Sequence, residues 1–176
     1  IIFVALIGIF CGAIFFGTDI IYNFLKAGLT AIGFGPFANE LLLGLWMIAG
    51  PLGAVVTKKI GASTITETLG GAVEALMGGQ FGAGAILSGL IQGIGNELGF
   101  AISGYRSFGK MALLLSTITS TIVTFAWSLL SEGYMNYKIG YLSALFAARF
   151  ISIGFFAGVL VYWINKLFDR SGLDKE

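Results

Sequence analysis

The chain of 176 residues has no histidine and a single cysteine, and only 11% of its residues are charged. Without histidine, Ser-His-Asp and Cys-His catalysis and histidine-ligated metal sites are excluded. A lone Cys11 in an apolar run can form neither an intrachain disulfide nor a thiolate cluster, and packing is the role expected of it. Ordinary globular proteins are roughly 25% charged; at less than half that share, and 57% hydrophobic, this chain cannot cover a water-facing surface. Its Lys and Arg are scattered and the formal net charge is +1, so no nucleic-acid partner is expected. What it has instead is long apolar runs and a mean hydropathy of +0.93. The fold class implied is an all-α integral membrane protein.

A hydrocarbon core of roughly 30 Å takes about 20 mostly apolar helical residues. By that measure the expected spans are 1–24, 38–56, 62–77, 81–103, 111–130 and 141–168: one domain, a compact bundle of six transmembrane helices surrounded by membrane lipid. Residues 26–37 carry Gly28, Gly33, Gly35 and Pro36 and read as a loop, and Gly78-Gly79-Gln80 reads as a tight turn. Placing both termini in the cytoplasm puts Lys58, Lys59, Arg106, Lys110, Lys166, Arg170 and Lys175 inside and leaves only Lys26 and Lys138 outside. That is the asymmetry of a multi-pass protein of the bacterial plasma membrane. No tandem or inverted repeat is visible, and the chain reads as part of something larger. It opens on Ile, so its true start is expected upstream, and its first apolar run is longer than a signal-peptide core.

Two nucleotide motifs nearly match. Gly104-Tyr-Arg-Ser-Phe-Gly109-Lys110 has phosphate-loop spacing, but Met111 stands where Ser or Thr must hold magnesium, and no strand precedes it. Gly33-Phe-Gly35-Pro-Phe-Ala38 lacks both the strand and the acidic partner of a dinucleotide fingerprint. Both read as turns, and no cofactor is expected. Small residues four apart recur at Gly8 and Gly12, Ala13 and Gly17, Gly89 and Gly93, Gly95 and Gly99, and Gly154 and Gly158, a spacing that lets membrane helices approach closely. Packing within the bundle accounts for most of them. On the first helix Ala5, Gly8 and Gly12 share a face smooth enough to dock a separate membrane protein.

Ionisable groups in hydrocarbon cost on the order of 2.5–3.5 kcal/mol each. Asp19, Glu67, Glu74 and Glu97 stand within the spans against one base, Arg149. Either some carboxyls are protonated or a cationic ligand supplies the missing charge. At about 1.5 Å per residue, Trp46 and Arg149 fall roughly 12 Å from the outer end, Glu67 and Gln92 roughly 15 Å, and Glu74 roughly 5 Å. Glu67 and Glu74 share a helix face, as do Gln92 and Asn96. Carboxylates facing amides, with Trp46 and Arg149 at similar depth, form the expected pocket. Tyr22, Trp127 and Tyr134 lie near the boundary, as ligand-stacking rings or as an aromatic belt. Glu97, on another face, is expected to be structural, paired with Arg149, or a group supporting the pocket from behind.

Six short helices, a glycine-rich first outer loop and a smooth first-helix face resemble the substrate-capture (S) components of energy-coupling factor (ECF) transporters. More narrowly, Gly44-Leu-Trp46-Met-Ile-Ala-Gly50-Pro51, Glu67 with Glu74, and Ser88-Gly-Leu-Ile-Gln92-Gly-Ile-Gly-Asn96-Glu97 are similar to the YkoE family. The resemblance implies capture of thiamine or its hydroxymethylpyrimidine portion, and delivery to a transmembrane T component driven by two ATPase domains. It also implies that the chain is not itself an enzyme. Glu67, Glu74, Gln92 and Asn96 are the ligand contacts it implies; depth adds Trp46, Arg149, Tyr22 and Trp127. Gly8 and Gly12 are the implied contact with the T component, although the alanine pair usual there is not present at this spacing. A cationic thiazolium suits the carboxylates and aromatic faces, and an aminopyrimidine suits the amides. The alternative from another class is a small cation- or proton-conducting protein using the carboxylates as a relay. An intramembrane enzyme fits less well, since no nucleophile–base pair is apparent.

Overall fold

The first apolar run forms α1, Ile2–Ala31, in a computed structural model that describes residues 2–171. Ile1, where the first expected span begins, and Lys175 lie outside the described residues. α1 continues through what reads as loop after residue 24, because Leu25, Lys26, Ala27 and Leu29 favour helix strongly enough to carry Gly28. It stops where Gly33 takes a φ of +82° and the Phe34 N–H closes on the Leu29 carbonyl at 2.8 Å.

The second pass is broken, where hydropathy suggests one run. α2 spans Phe37–Trp46 and α3 spans Ala49–Thr57. Pro51 explains the break: it has no N–H for the Met47 carbonyl, and its ring crowds that turn. α4 (Ala62–Leu76), α5 (Ala83–Ile102) and α6 (Lys110–Ser131) follow. A 3-10 turn at Tyr134–Asn136 leads to α7, Ile139–Ile153. A π-helical stretch, Gly154–Leu160, then joins α7 to α8, Val161–Ser171, within the last pass. The described residues contain no strand. Five passes are long and apolar enough to cross a membrane: 2–31, 37–57, 83–102, 110–131 and 139–170. α4 makes the sixth. At 15 residues it is roughly 22 Å long, and its acids lie against neighbouring helices. Short turns make successive passes alternate in direction. The turns holding Gly33, Gly78 and Tyr134 share one end of the bundle; those holding Lys59 and Arg106 share the other.

Glycine decides how close the helices come. A Cβ on Gly8 would stand 2.7 Å from Leu69 Cδ2, and one on Gly12 would stand 2.5 Å from Val73 Cβ. The smooth face of α1 is therefore occupied by α4 inside the bundle, which corrects the expectation that Gly8 and Gly12 face a separate protein. Turned outward from α1 are Leu6, Ile9, Phe10, Ile20 and Phe24 instead. On its other side α4 meets α5, where a Cβ on Gly71 would lie 2.3 Å from the Ala85 carbonyl oxygen. α2 meets α7 where Gly44 lies against the Ser152 backbone, and the Gly44 N–H donates to Ser152 Oγ at 3.0 Å.

That α2–α7 contact carries a fifth intramembrane acid, Glu40, whose pairing the sequence reading overlooks. Arg149 donates from Nε to Glu40 Oε2 at 2.5 Å and from Nη2 to Oε1 at 2.7 Å. Both side chains are fully buried. Tyr134 Oη adds a bond to Glu40 Oε1 at 2.7 Å, and Arg149 Nη2 donates to Ser128 Oγ at 2.9 Å. The network ties α2, α6 and α7 together.

Substitutions at Gly12 and at Glu40 test this packing, each against a control. Gly12→Leu should destabilise the purified protein by about 1–3 kcal/mol of overpacking, seen as a lower melting temperature. Gly17→Leu, whose Cβ meets nothing within 4 Å, should leave the melt unchanged. Glu40→Gln strands a buried guanidinium and should cost about 3–5 kcal/mol, most of it recovered in an apolar Glu40→Leu/Arg149→Met pair. A melt of the double variant as low as that of Glu40→Gln would contradict the account.

Candidate ligand-binding site

Each acid in the interior needs a donor, and helix N-termini supply several. Breaking the second pass frees the Gly50 N–H at the start of α3, and Glu67 Oε2 accepts it at 2.5 Å. Glu97 does the same for α4, accepting from the N–H groups of Gly61 at 2.9 Å and Thr64 at 3.2 Å. Tyr105 Oη donates to Glu97 as well, at 2.8 Å. Burial, then the hydrogen bond to Glu97 and its charge, push the Tyr105 phenol up to about 12. Glu97 is thus a helix cap, and the Arg149 partner considered for it belongs to Glu40.

The expected quartet divides. Glu67 turns toward α3, where it and Asn96 converge with Ser63 on the bare face of Gly50; Asn96 Oδ1 accepts from Ser116 Oγ at 3.2 Å. Neither Glu67 nor Asn96 reaches the cavity. Glu74, two turns further along α4, and Gln92 of α5 both line it.

The cavity, about 740 Å³, opens at the Gly33 end among α1, α2, α4, α5, α6 and α7. One wall is aromatic. Tyr22 and Trp46 meet edge to face at 5.4 Å between centroids, and Phe81 packs on both, at 5.8 Å from Tyr22 and 5.7 Å from Trp46. The Trp46 indole is fixed by donating to the Phe15 carbonyl and to Asp19 Oδ1, each at 3.2 Å. Asp19 Oδ2 accepts from the Gln80 N–H at 3.1 Å and so anchors the turn that carries Phe81. Beside this cage lies Glu74, only 4% exposed, with Oε1 lacking any hydrogen-bond partner in the protein. Lys26 sits at the mouth, its ammonium 5.1 Å from the Tyr22 ring centroid.

The facing wall is polar and already paired. Arg149, Ser128, Glu132 and Tyr134 line it, with Trp127 alongside. Arg149 lies over the Phe125 ring at 5.1 Å, and its Nη1 alone has no partner. Glu132 accepts from Ser128 Oγ at 3.0 Å; burial raises its carboxyl above the usual range despite that bond and the nearby Arg149. Burial, followed by the charges of Glu40 and Glu132, raises the Tyr134 phenol.

Of the residues predicted for the pocket, Tyr22, Trp46, Glu74, Gln92, Trp127 and Arg149 share this one cavity. Phe81 lines it too, without having been expected there, and Asp19 holds Trp46 in place. Asp19 lies in the polar part of the first expected run, four residues before Asn23, and Phe81 is the ring that follows the Gly78-Gly79-Gln80 turn. Both positions are visible in sequence, but only folding sets them around Trp46.

Comparison with known proteins identifies the family and the fold. Residues 1–123 match the family described as the permease component of the ABC-type cobalt transport system. YkoE of Bacillus subtilis (strain 168), a permease protein provisionally named for HMP and thiamine, is 33% identical over 127 residues. That alignment covers 72% of this chain and 64% of the relative, so the chain spans less than two thirds of that protein's length. The crystal structure of an S-component of an ECF transporter superposes with a TM-score of 0.88 at 28% identity, covering 98% of this chain and 85% of that one. The chain belongs to the family of permease components of ABC-type cobalt transport systems, and its fold is that of an ECF S component.

Proposed function

We propose that this chain is the substrate-capture subunit of an ECF-type vitamin importer, that it binds thiamine or the hydroxymethylpyrimidine portion of it, and that a T component and two ATPase domains drive its delivery. The observation that carries this reading is a three-ring cage of Tyr22, Trp46 and Phe81 beside Glu74, a buried carboxyl with an oxygen left over. Aromatic faces and a carboxylate together attract an organic cation, the cation–π part contributing about 0.5–2 kcal/mol. The name of the Bacillus relative supports the choice of ligand. In this reading the cavity mouth faces outward and both termini lie in the cytoplasm, an orientation supported by the basic residues gathered at the Arg106 end.

The competing relay is less well supported. Glu40, Glu67 and Glu97 are each committed to a fixed donor, which suits a rigid receptor better than a path for ions.

Purified alone, the chain should bind thiamine and hydrolyse no ATP; a titration without binding of thiamine or hydroxymethylpyrimidine would refute the ligand assignment. Glu74→Gln keeps the size but removes the anion, and should cost thiamine about 2–5 kcal/mol of binding. Neutral hydroxymethylpyrimidine should lose far less. Equal loss for both would instead place the carboxyl on the pyrimidine amino group.

A further inference from the structure

We propose that Asp19 and Glu74 form a carboxyl pair that holds one proton when the cavity is empty and gives it up to solvent when a cationic ligand enters the cage, so that capture is an exchange of a proton for a cation. This rests on the proposed ligand reading and extends it to charge balance.

The two groups come from α1 and α4 and converge on one glycine of the turn that follows α4. Gly79 packs over both: a Cβ there would stand 2.9 Å from Glu74 Cγ and 3.0 Å from Asp19 Oδ2. Their exposures are 3% and 4%. Two carboxylates buried side by side with no cation between them cannot both stay ionised, so one keeps a proton. The surroundings say which. Asp19 already accepts from Trp46 Nε1 and from the Gln80 N–H, the environment of an anion. Glu74 has no donor at Oε1, so the proton sits on Glu74.

Among the described residues no fixed cation stands ready to replace that proton. From α1, Lys26 lies over the outer ring of the cage. From α2 and α7, Glu40 and Arg149 neutralise one another. On α4, Glu67 is taken by Gly50; α5 contributes the neutral Gln92, and Glu132 across the cavity is bound to Ser128. The empty pair therefore carries one negative charge and one proton. A permanently charged ring seated in the cage supplies the second positive charge, the O–H bond of Glu74 breaks, and the proton leaves through the mouth. The site then holds two carboxylates and one ligand cation, and its net charge is unchanged.

Calorimetric titration of the purified full chain with thiamine near pH 7, repeated in buffers of different ionisation enthalpy, counts the protons released. We expect close to one per thiamine and close to none per hydroxymethylpyrimidine, with thiamine affinity rising about tenfold per pH unit while the pair is protonated. Glu74→Gln removes the O–H that breaks and should abolish the release in whatever thiamine it still binds. Thiamine bound without proton release, equal release for both ligands, or undiminished release in Glu74→Gln would each overturn the exchange while leaving the ligand assignment standing. Failure of both ligands to bind would instead remove the assignment and the exchange together.

Discussion

Pro51 cannot donate to the Met47 carbonyl, and much of the interior is arranged around that missing bond. Because the second pass breaks there, α3 begins inside the bundle with a free N–H at Gly50. A helix N-terminus buried in apolar surroundings needs an acceptor, and it carries a partial positive charge that stabilises an anion. Glu67 meets both needs at once. Glu97 does so for α4, and Glu40 finds the guanidinium of Arg149. Acids that look like a deficit of positive charge in the sequence are thus largely answered by backbone and by one base. The remainder is concentrated at Glu74, on the wall of the cavity, and at Asp19, which holds the Trp46 ring of that wall.

The cavity accordingly has two unlike sides. On the α7 side the polar groups form a closed network spanning α2, α6 and the turn at Tyr134, held by short charge-assisted bonds. Such a wall is rigid and nearly neutral. On the α1–α4 side rings and carboxyls are held by a short glycine-rich turn, through bonds from Gln80 to Asp19. A fixed wall sets the shape of what enters, and an acidic aromatic wall sets its charge.

Hydropathy made the six passes legible, since apolar length in a bilayer is close to a geometric requirement. Helix identity was therefore plain, whereas the break at Pro51 and the extension of α1 to Ala31 depended on local backbone bonding. Trp46 and Gln92 fall at similar depth because depth follows from helical rise. Depth also favours Glu67 over Glu74, the reverse of what the fold does: positions seven apart share a face, and what each meets depends on which neighbour lies at that height. Glu40 lies inside its expected span, but nothing in the sequence sets it against Arg149, 109 residues away. The glycines of α1 revealed that something comes close, but a small-residue face carries no label for its partner; Leu69 and Val73 supplied it.

The shortness of α4 has a consequence for how the protein is made. A helix of 15 residues carrying Glu67 and Glu74 gains little by leaving the translocon alone, given about 2.5–3.5 kcal/mol for a charged residue at mid-membrane. Its N-terminal amides are satisfied by Glu97, and its glycine-lined side is covered by α5, which follows it after a tight turn. Neither is available until α5 has been synthesised. The two segments are therefore suited to partition into lipid as a single hairpin, with the later helix completing the earlier one.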